Sequence, residues 1–240
     1  MFYITGDTHG DFGERLYRLD RFKPTKDDTL IVLGDAGINY SLGERDYNLK
    51  KELAKEKIDI FCVHGNHEER PFNIPTYHEV EYHGGIAYME DGFPNLIFAK
   101  DGEIYDFDGL KTIVIGGAYS VDKDYRLRNG WKWFPDEQPS EEIKRYVEEQ
   151  LDSVNWQVDC VLSHTVPCQY EPVERFLPSI DQRKVDKTTE LWLDKIEQKL
   201  DYKHWYAGHY HCSKRVENLR IMFTDIRILG GYSWKEESHA

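Results

Sequence analysis

Five short clusters of metal-ligand residues constrain this chain most, because each directly follows a short apolar, β-branched run. They are Gly6-Asp7-Thr8-His9-Gly10, Gly34-Asp35, Gly65-Asn66-His67-Glu68, Ser163-His164-Thr165 and Gly208-His209-Tyr210-His211. A strand followed by a polar turn, repeated in this way, predicts strand ends gathered at one edge of a sheet, with Asp, His and Asn converging there.

The segments between the clusters set the expected elements. Phe2 to Thr5 reads as a strand, and Phe12, Leu16 and Leu19 then recur at helical spacing. Leu30 to Leu33 is a second strand, Tyr47 to Lys57 a helix with Leu49 and Leu53 on its apolar side, and Ile58 to Val63 a third strand. Strands joined through helices predict a parallel sheet, whose sites lie outside the strand carboxyl ends. From Val80 to Ile115, runs broken by Gly84-Gly85, Asp91-Gly92, Asp101-Gly102 and Asp108-Gly109 predict antiparallel strands. Ser140 is placed to cap a helix that ends near Gln150. Val158 to Leu162 reads as a strand, Thr188 to Leu200 as a helix, Trp205 to Ala207 as a strand, and Leu219 to Leu229 as a strand pair. One domain is expected over 1–240, with 235–240 as a frayed polar tail.

The chemistry at the clusters follows from their side chains. Asp7 and His9, two apart, face one side of an extended segment, and the flanking Gly6 and Gly10 let the turn aim both inward. The carboxylate of Asp35 has two oxygens with which to bridge two cations. Asn66 offers an amide oxygen, and His164, His209 and His211 offer imidazole nitrogens. Oxygen and nitrogen donors without thiolate suit Mn, Fe, Zn or Co better than a cysteine-based structural zinc. Taken singly, Asp7, His9, Asp35, Asn66 and His164 read more readily as turn or capping residues, and His209 with His211 reads equally as a surface pair. Only together do they make a metal site.

The ordered set resembles the calcineurin-like metallophosphoesterase superfamily, whose pattern is D-x-H, G-D, G-N-H-[ED], a later H and a final G-H-x-H. This chain carries Asp7-Thr8-His9, Gly34-Asp35, Gly65 to Glu68, His164 and Gly208 to His211 in that order, and the resemblance covers residues 1 to about 212. It implies an α/β fold, a four-layer αββα sandwich of two mixed β-sheets flanked by helices. It also implies two divalent metal ions, with Mn the first choice and Fe, Zn, Co or Ni as alternatives. Asp7, His9 and His211 would hold one, Asn66, His164 and His209 the other, and Asp35 would bridge them. Such a pair lowers the pKa of a bridging water for in-line attack on a phosphate ester, monoester or diester. By the same resemblance His67, left free of metal, faces the leaving oxygen and gives it a proton. A supporting role for His67 is the alternative.

The segment from Gly117 to Pro139 is too irregular for one helix or strand, and it brings Arg126 and Arg128 close to Tyr119, Tyr125, Trp131 and Trp133. Arginine can hold a phosphate, and an aromatic ring can stack on a base. Against this stands an aromatic plug that packs the loop down while the charges are merely solvated. The serine/threonine protein phosphatase branch shares the first and third motifs, but its G-D-x-V-D-R-G is here Gly34-Asp35-Ala36-Gly37-Ile38-Asn39-Tyr40, without the second Asp or the Arg. A non-catalytic interaction module on the same fold would show degraded ligands, and none is degraded.

The formal charge of −13 argues against bulk binding to nucleic acid or anionic membrane, while leaving room for a nucleotide substrate. The sequence has no apolar run near the roughly 20 residues of a membrane span, and Met1 leads straight into the first strand. A soluble cytoplasmic protein is expected. Cys62, Cys160, Cys168 and Cys212 lack C-x-x-C spacing and read as buried free thiols.

Overall fold

The strands are short and apolar on both faces, so they fold where both faces can be covered. In β1 (Phe2–Thr5), β2 (Thr29–Val32) and β3 (Asp59–Cys62), successive side chains alternate between two separate cores. Phe2, Ile4, Ile31 and Phe61 point into one, Tyr3, Leu30, Val32 and Ile60 into the other. The computed structural model describes residues 1–231. The expected tail, 235–240, lies outside the described residues.

Two mixed sheets result. The first has the order β13-β1-β2-β3-β6-β5-β4, where β4 is Tyr77–Tyr82, β5 Gly85–Glu90, β6 Leu96–Ala99 and β13 Arg227–Ile228. The second runs β11-β12-β10-β9-β8-β7, with β7 Ile104–Phe107, β8 Leu110–Ile115, β9 Cys160–Ser163, β10 His204–Ala207, β11 Lys214–Val216 and β12 Leu219–Ile221. Parallel pairing joins β1, β2, β3 and β6 in one sheet and β8, β9, β10 and β12 in the other. The antiparallel edges at β4 and β7 come from the turn-rich region, as its Asp-Gly spacing predicts, and the opposite edges, β13 and β11, also pair antiparallel.

The layers follow from where the apolar residues meet. Between the sheets, Ile4, Leu33 and Phe61 pack with Val114, Leu162 and Tyr206. Outside the first sheet lie α1 (Gly13–Leu19) and α2 (Glu44–Leu53), which bury Leu19 and Leu53 against it. Outside the second lie α4 (Glu141–Ser153) and α5 (Thr188–Glu197), which bury Val147, Leu151, Leu193 and Ile196. This is the four-layer αββα sandwich. No helix among the described residues is long and apolar enough to cross a membrane.

The structure corrects two details. The expected strand pair at 219–229 is not a pair: β12 joins the second sheet beside β10, and β13 crosses to the first, antiparallel to β1. The α2 helix starts and stops earlier than its Leu49–Leu53 spacing suggests. Asp46 accepts hydrogen bonds from the Ser41 and Leu42 amides and fixes the entry, while Asn95 Nδ2 donates to the Leu53 carbonyl and closes the end. Among the cysteines, Cys62, Cys160 and Cys212 are buried free thiols and Cys168 is half-buried.

Candidate metal centre

Each predicted cluster leaves the carboxyl end of a parallel strand, and the two sheets present those ends to one another. Asp7 and His9 follow β1, Asp35 follows β2, and Asn66 and His67 follow β3; across the gap, His164 follows β9, and His209 and His211 follow β10. The clusters are stitched together through backbone amides. His9 N donates to the Asp35 carbonyl at 2.8 Å, His67 N to Asp35 Oδ1 at 2.8 Å, and His209 N to Asp7 Oδ1 at 2.8 Å. The glycines that precede the ligands serve close approach. A Cβ on Gly65 would collide with Asp35 Oδ1 and one on Gly34 with the His164 ring.

The donor atoms converge. One ligand atom each from Asp7, His9 and His211 lies within 4.8 Å of the others, and the same holds for Asp7, Asp35 and His164. Asp35 faces two ways, with Oδ1 3.7 Å from His164 Nε2 and Oδ2 3.9 Å from His9 Nδ1. His164 Nδ1 donates to the Leu33 carbonyl at 2.7 Å, which turns Nε2 to Asn66 Oδ1, 2.8 Å away. His209 Nδ1 approaches the same oxygen at 3.0 Å. The amide cannot flip freely, because Asn66 Nδ2 donates to Ser120 Oγ at 2.8 Å. Asp7 Oδ2 is fully buried, with His211 Nε2 3.2 Å away. Imidazole nitrogens and an amide oxygen gathered this closely around buried carboxylates are a donor set that fits a cation.

Charge and strain fit the same reading. Burial would raise the carboxyl of Asp7, but His211 and His164 outweigh it and hold it low; burial of Asp35 is likewise overcome by His164, His67 and His9. The Asp7 carboxylate holds His211 above its ordinary value, whereas burial pushes His209 down to about 3, which leaves it neutral and able to ligate. His9, Asp35, His209 and His211 have φ of 49°, 48°, 67° and 47°, a left-handed backbone that costs a non-glycine residue roughly 1 kcal/mol or more.

His67 stands beside this group, with Nε2 3.9 Å from Asp35 Oδ2 and 3.1 Å from Arg126 Nη2. Burial lowers its pKa, Asp35 opposes this, and Arg126 adds to it. A guanidinium only donates, so the imidazole nitrogen accepts. Arg126 comes from α3 (Lys123–Arg128), a single short helix inside the irregular 117–139 segment, and Asp122 holds its Nε at 2.8 Å. The two arginines therefore part company. Arg126 lines a cavity of about 370 Å³ with His9 and His67, while Arg128 bonds the Asp124 carbonyl of its own helix and is not among the lining residues.

Three residues outside the five clusters support the ligands. Ser120 orients Asn66 and is itself bonded to the buried Glu137; Arg15 Nη2 donates to the Asp7 carbonyl at 2.6 Å. A lone Ser in a loop and an Arg on an amphipathic helix carry no signal in sequence.

A family model described as calcineurin-like phosphoesterase matches residues 1–213. No curated protein matches the chain. Among solved structures, the chain is similar to the crystal structure of TT1561 of Thermus thermophilus, at 13% identity, 92% of this chain, 87% of that one and a TM-score of 0.49. A second crystal structure is similar at 14% identity, 92% and 88% coverage and a TM-score of 0.49.

Proposed function

The chain belongs to the calcineurin-like phosphoesterase family of metal-dependent phosphoric ester hydrolases, and from that premise we propose a two-metal hydrolase of phosphate monoesters or diesters. Asp7, His9 and His211 would hold one cation, and Asn66, His164 and His209 the other. Asp35 would bridge them, and Mn is the first choice of metal. When bound, the cations supply a nucleophile at neutral pH and offset the charge that develops on phosphate.

The observation that carries this reading is the position of Asp35, whose two oxygens turn toward different imidazoles, His164 on one side and His9 on the other. The protein's own residues do the remaining work. His67 borders the same carboxylate, and Arg126 brings a fixed positive charge to its edge; once released from the Arg126 N–H and protonated, the imidazole would pass a proton to a leaving oxygen. The protein phosphatase alternative gains no support. Asn39, at the position of that branch's Arg, is buried and accepts a hydrogen bond from Tyr77.

The test is an assay of protein stripped of metal and reloaded with Mn, on p-nitrophenyl phosphate, bis-p-nitrophenyl phosphate and glycerol 3-phosphate. Asp35→Asn should lose at least about 100-fold in activity, and full activity would sink the bridging role. His67→Ala should slow glycerol 3-phosphate far more than the nitrophenyl esters, whose leaving group needs little protonation. Equal losses would count against proton donation.

A further inference from the structure

The cavity that begins at His9 and His67 does not end at the candidate metals. It runs over the outer face of α2, past Arg45, Asn48 and Leu49, and is walled by Tyr40, Arg126 and Trp131. Its volume, about 370 Å³, lies at the low end of the roughly 300–1,000 Å³ of small-molecule sites, room for one group beyond a phosphate rather than a peptide or an oligonucleotide.

Its lining has a definite chemistry. Trp131 is 52% exposed and meets only the Tyr125 ring among the described aromatics, at 5.5 Å and 87°. A plug is therefore not its role. Trp133 does fit that role, with Nε1 bonded to Glu137 at 2.7 Å and Lys123 Nζ 3.9 Å from its ring centre. The backbone of Trp131 is fixed, since its N–H donates to the Arg126 carbonyl at 2.9 Å. Tyr40 is held too, its hydroxyl 3.3 Å from Arg126 Nη1. Arg45 is exposed and has no ion-pair partner among the described residues, in a chain whose formal charge is −13. Two aromatic side chains, an apolar Leu49 and charges of both signs, the unpaired Arg45 and the exposed Glu52, beside a phosphoryl site make a binding surface for a flat molecule with a polar edge.

We propose that the substrate is a small phosphate ester whose alcohol carries a planar aromatic ring, received against Trp131 and Tyr40, with Arg45 facing the polar part of the molecule. The proposal rests on the phosphoesterase reading and narrows it. A nucleobase and a simple aryl group share this chemistry, and the experiment separates them.

Mn-loaded protein is assayed on four esters of primary alcohols, so that leaving groups match: adenosine 5′-monophosphate, 2-phenylethyl phosphate, glycerol 3-phosphate and glucose 6-phosphate. At least one aromatic ester should exceed the other two in kcat/KM by roughly 10- to 100-fold, the scale of one stacked ring. Trp131→Ala should remove most of that ratio and Trp131→Phe should restore part of it. Preference for the adenosine ester alone identifies a base as the ring, and equal preference for the phenylethyl ester identifies any aromatic. Parity among the four, a preference for glucose 6-phosphate, or a ratio untouched by Trp131→Ala overturns the proposal. Calorimetric titration with adenosine 5′-monophosphate keeps the two readings apart. If neither these monoesters nor bis-p-nitrophenyl phosphate is hydrolysed, the phosphoesterase reading fails, and the ring pocket still stands or falls by whether Trp131→Ala weakens that binding at least about tenfold.

Discussion

Asn66 offers an oxygen to the site only while its amide is held one way round, and the side chain that holds it is Ser120. Rotated by half a turn, the amide would push N–H groups at His164 and His209. Ser120→Ala should therefore weaken Mn affinity by roughly 10- to 100-fold, the usual effect of losing a partner that orients a ligand. Calorimetric Mn titration checks this, and an affinity equal to the wild type would remove Ser120 from the site. The ligands themselves were readable, because Asp, His and Asn after apolar runs form an ordered pattern that survives any detail of folding. Ser120, Glu137 and Arg15 were not, because their roles arise from contacts 54 residues apart, as between Ser120 and Asn66, or from one side chain reaching a carbonyl. Arg126 and Arg128 looked alike in sequence. Only the turn of α3 aims one at His67 and the other at its own backbone.

At the scale of elements, α5 carries a buried carboxyl that links its packing to the strand end beneath His164. Glu190 accepts a hydrogen bond from Thr165 at 2.9 Å, its other oxygen has no partner among the described residues, and burial pushes its pKa from 4.5 up to about 7. The sign follows from which state lets go of its proton first. Below 4.5 both folded and unfolded chains are protonated and the group costs nothing; between 4.5 and 7 the unfolded chain alone ionises, so stability falls as pH rises and stays lower above 7. Urea unfolding of metal-free protein should show Glu190→Gln gaining on the wild type between pH 5 and pH 8, by about 1–3 kcal/mol. The same difference at both pH values would mean that folding does not raise the pKa of Glu190. Helices such as α4 were legible because Ser140 caps the chain locally, its hydroxyl accepting from Ile143 N at 3.3 Å. The end of α2 was hidden, since Asn95, 42 residues away, closes it. The partners of β12 and β13 were hidden for a related reason: a short apolar run does not say which of two sheets it will join.

For the whole molecule, the centre lies where two sheets meet end to end, and its buried carboxylates, Asp7 and Asp35, come from the same sheet while His164, His209 and His211 come from the other. Cations bound there would join the two halves of the sandwich and screen like charges inside a chain of net charge −13. Only the folded chain assembles this set, so binding adds to stability by mass action, about 4 kcal/mol at a free metal concentration a thousand times the dissociation constant. A chain of this size shifts by roughly 2–4 °C per kcal/mol. Removal of metal by EDTA should then lower Tm by roughly 8–16 °C, with recovery on addition of Mn. Asp35→Asn should lose most of this Mn-dependent shift, whereas Arg128→Ala, turned away from the cavity, should keep it. Thermal scans of protein whose metal content is measured before and after chelation decide the matter. A Tm that stays fixed while bound metal is lost would mean that the sheets hold their ends together without it, and that the left-handed turns at His9, Asp35, His209 and His211 are maintained by the protein alone.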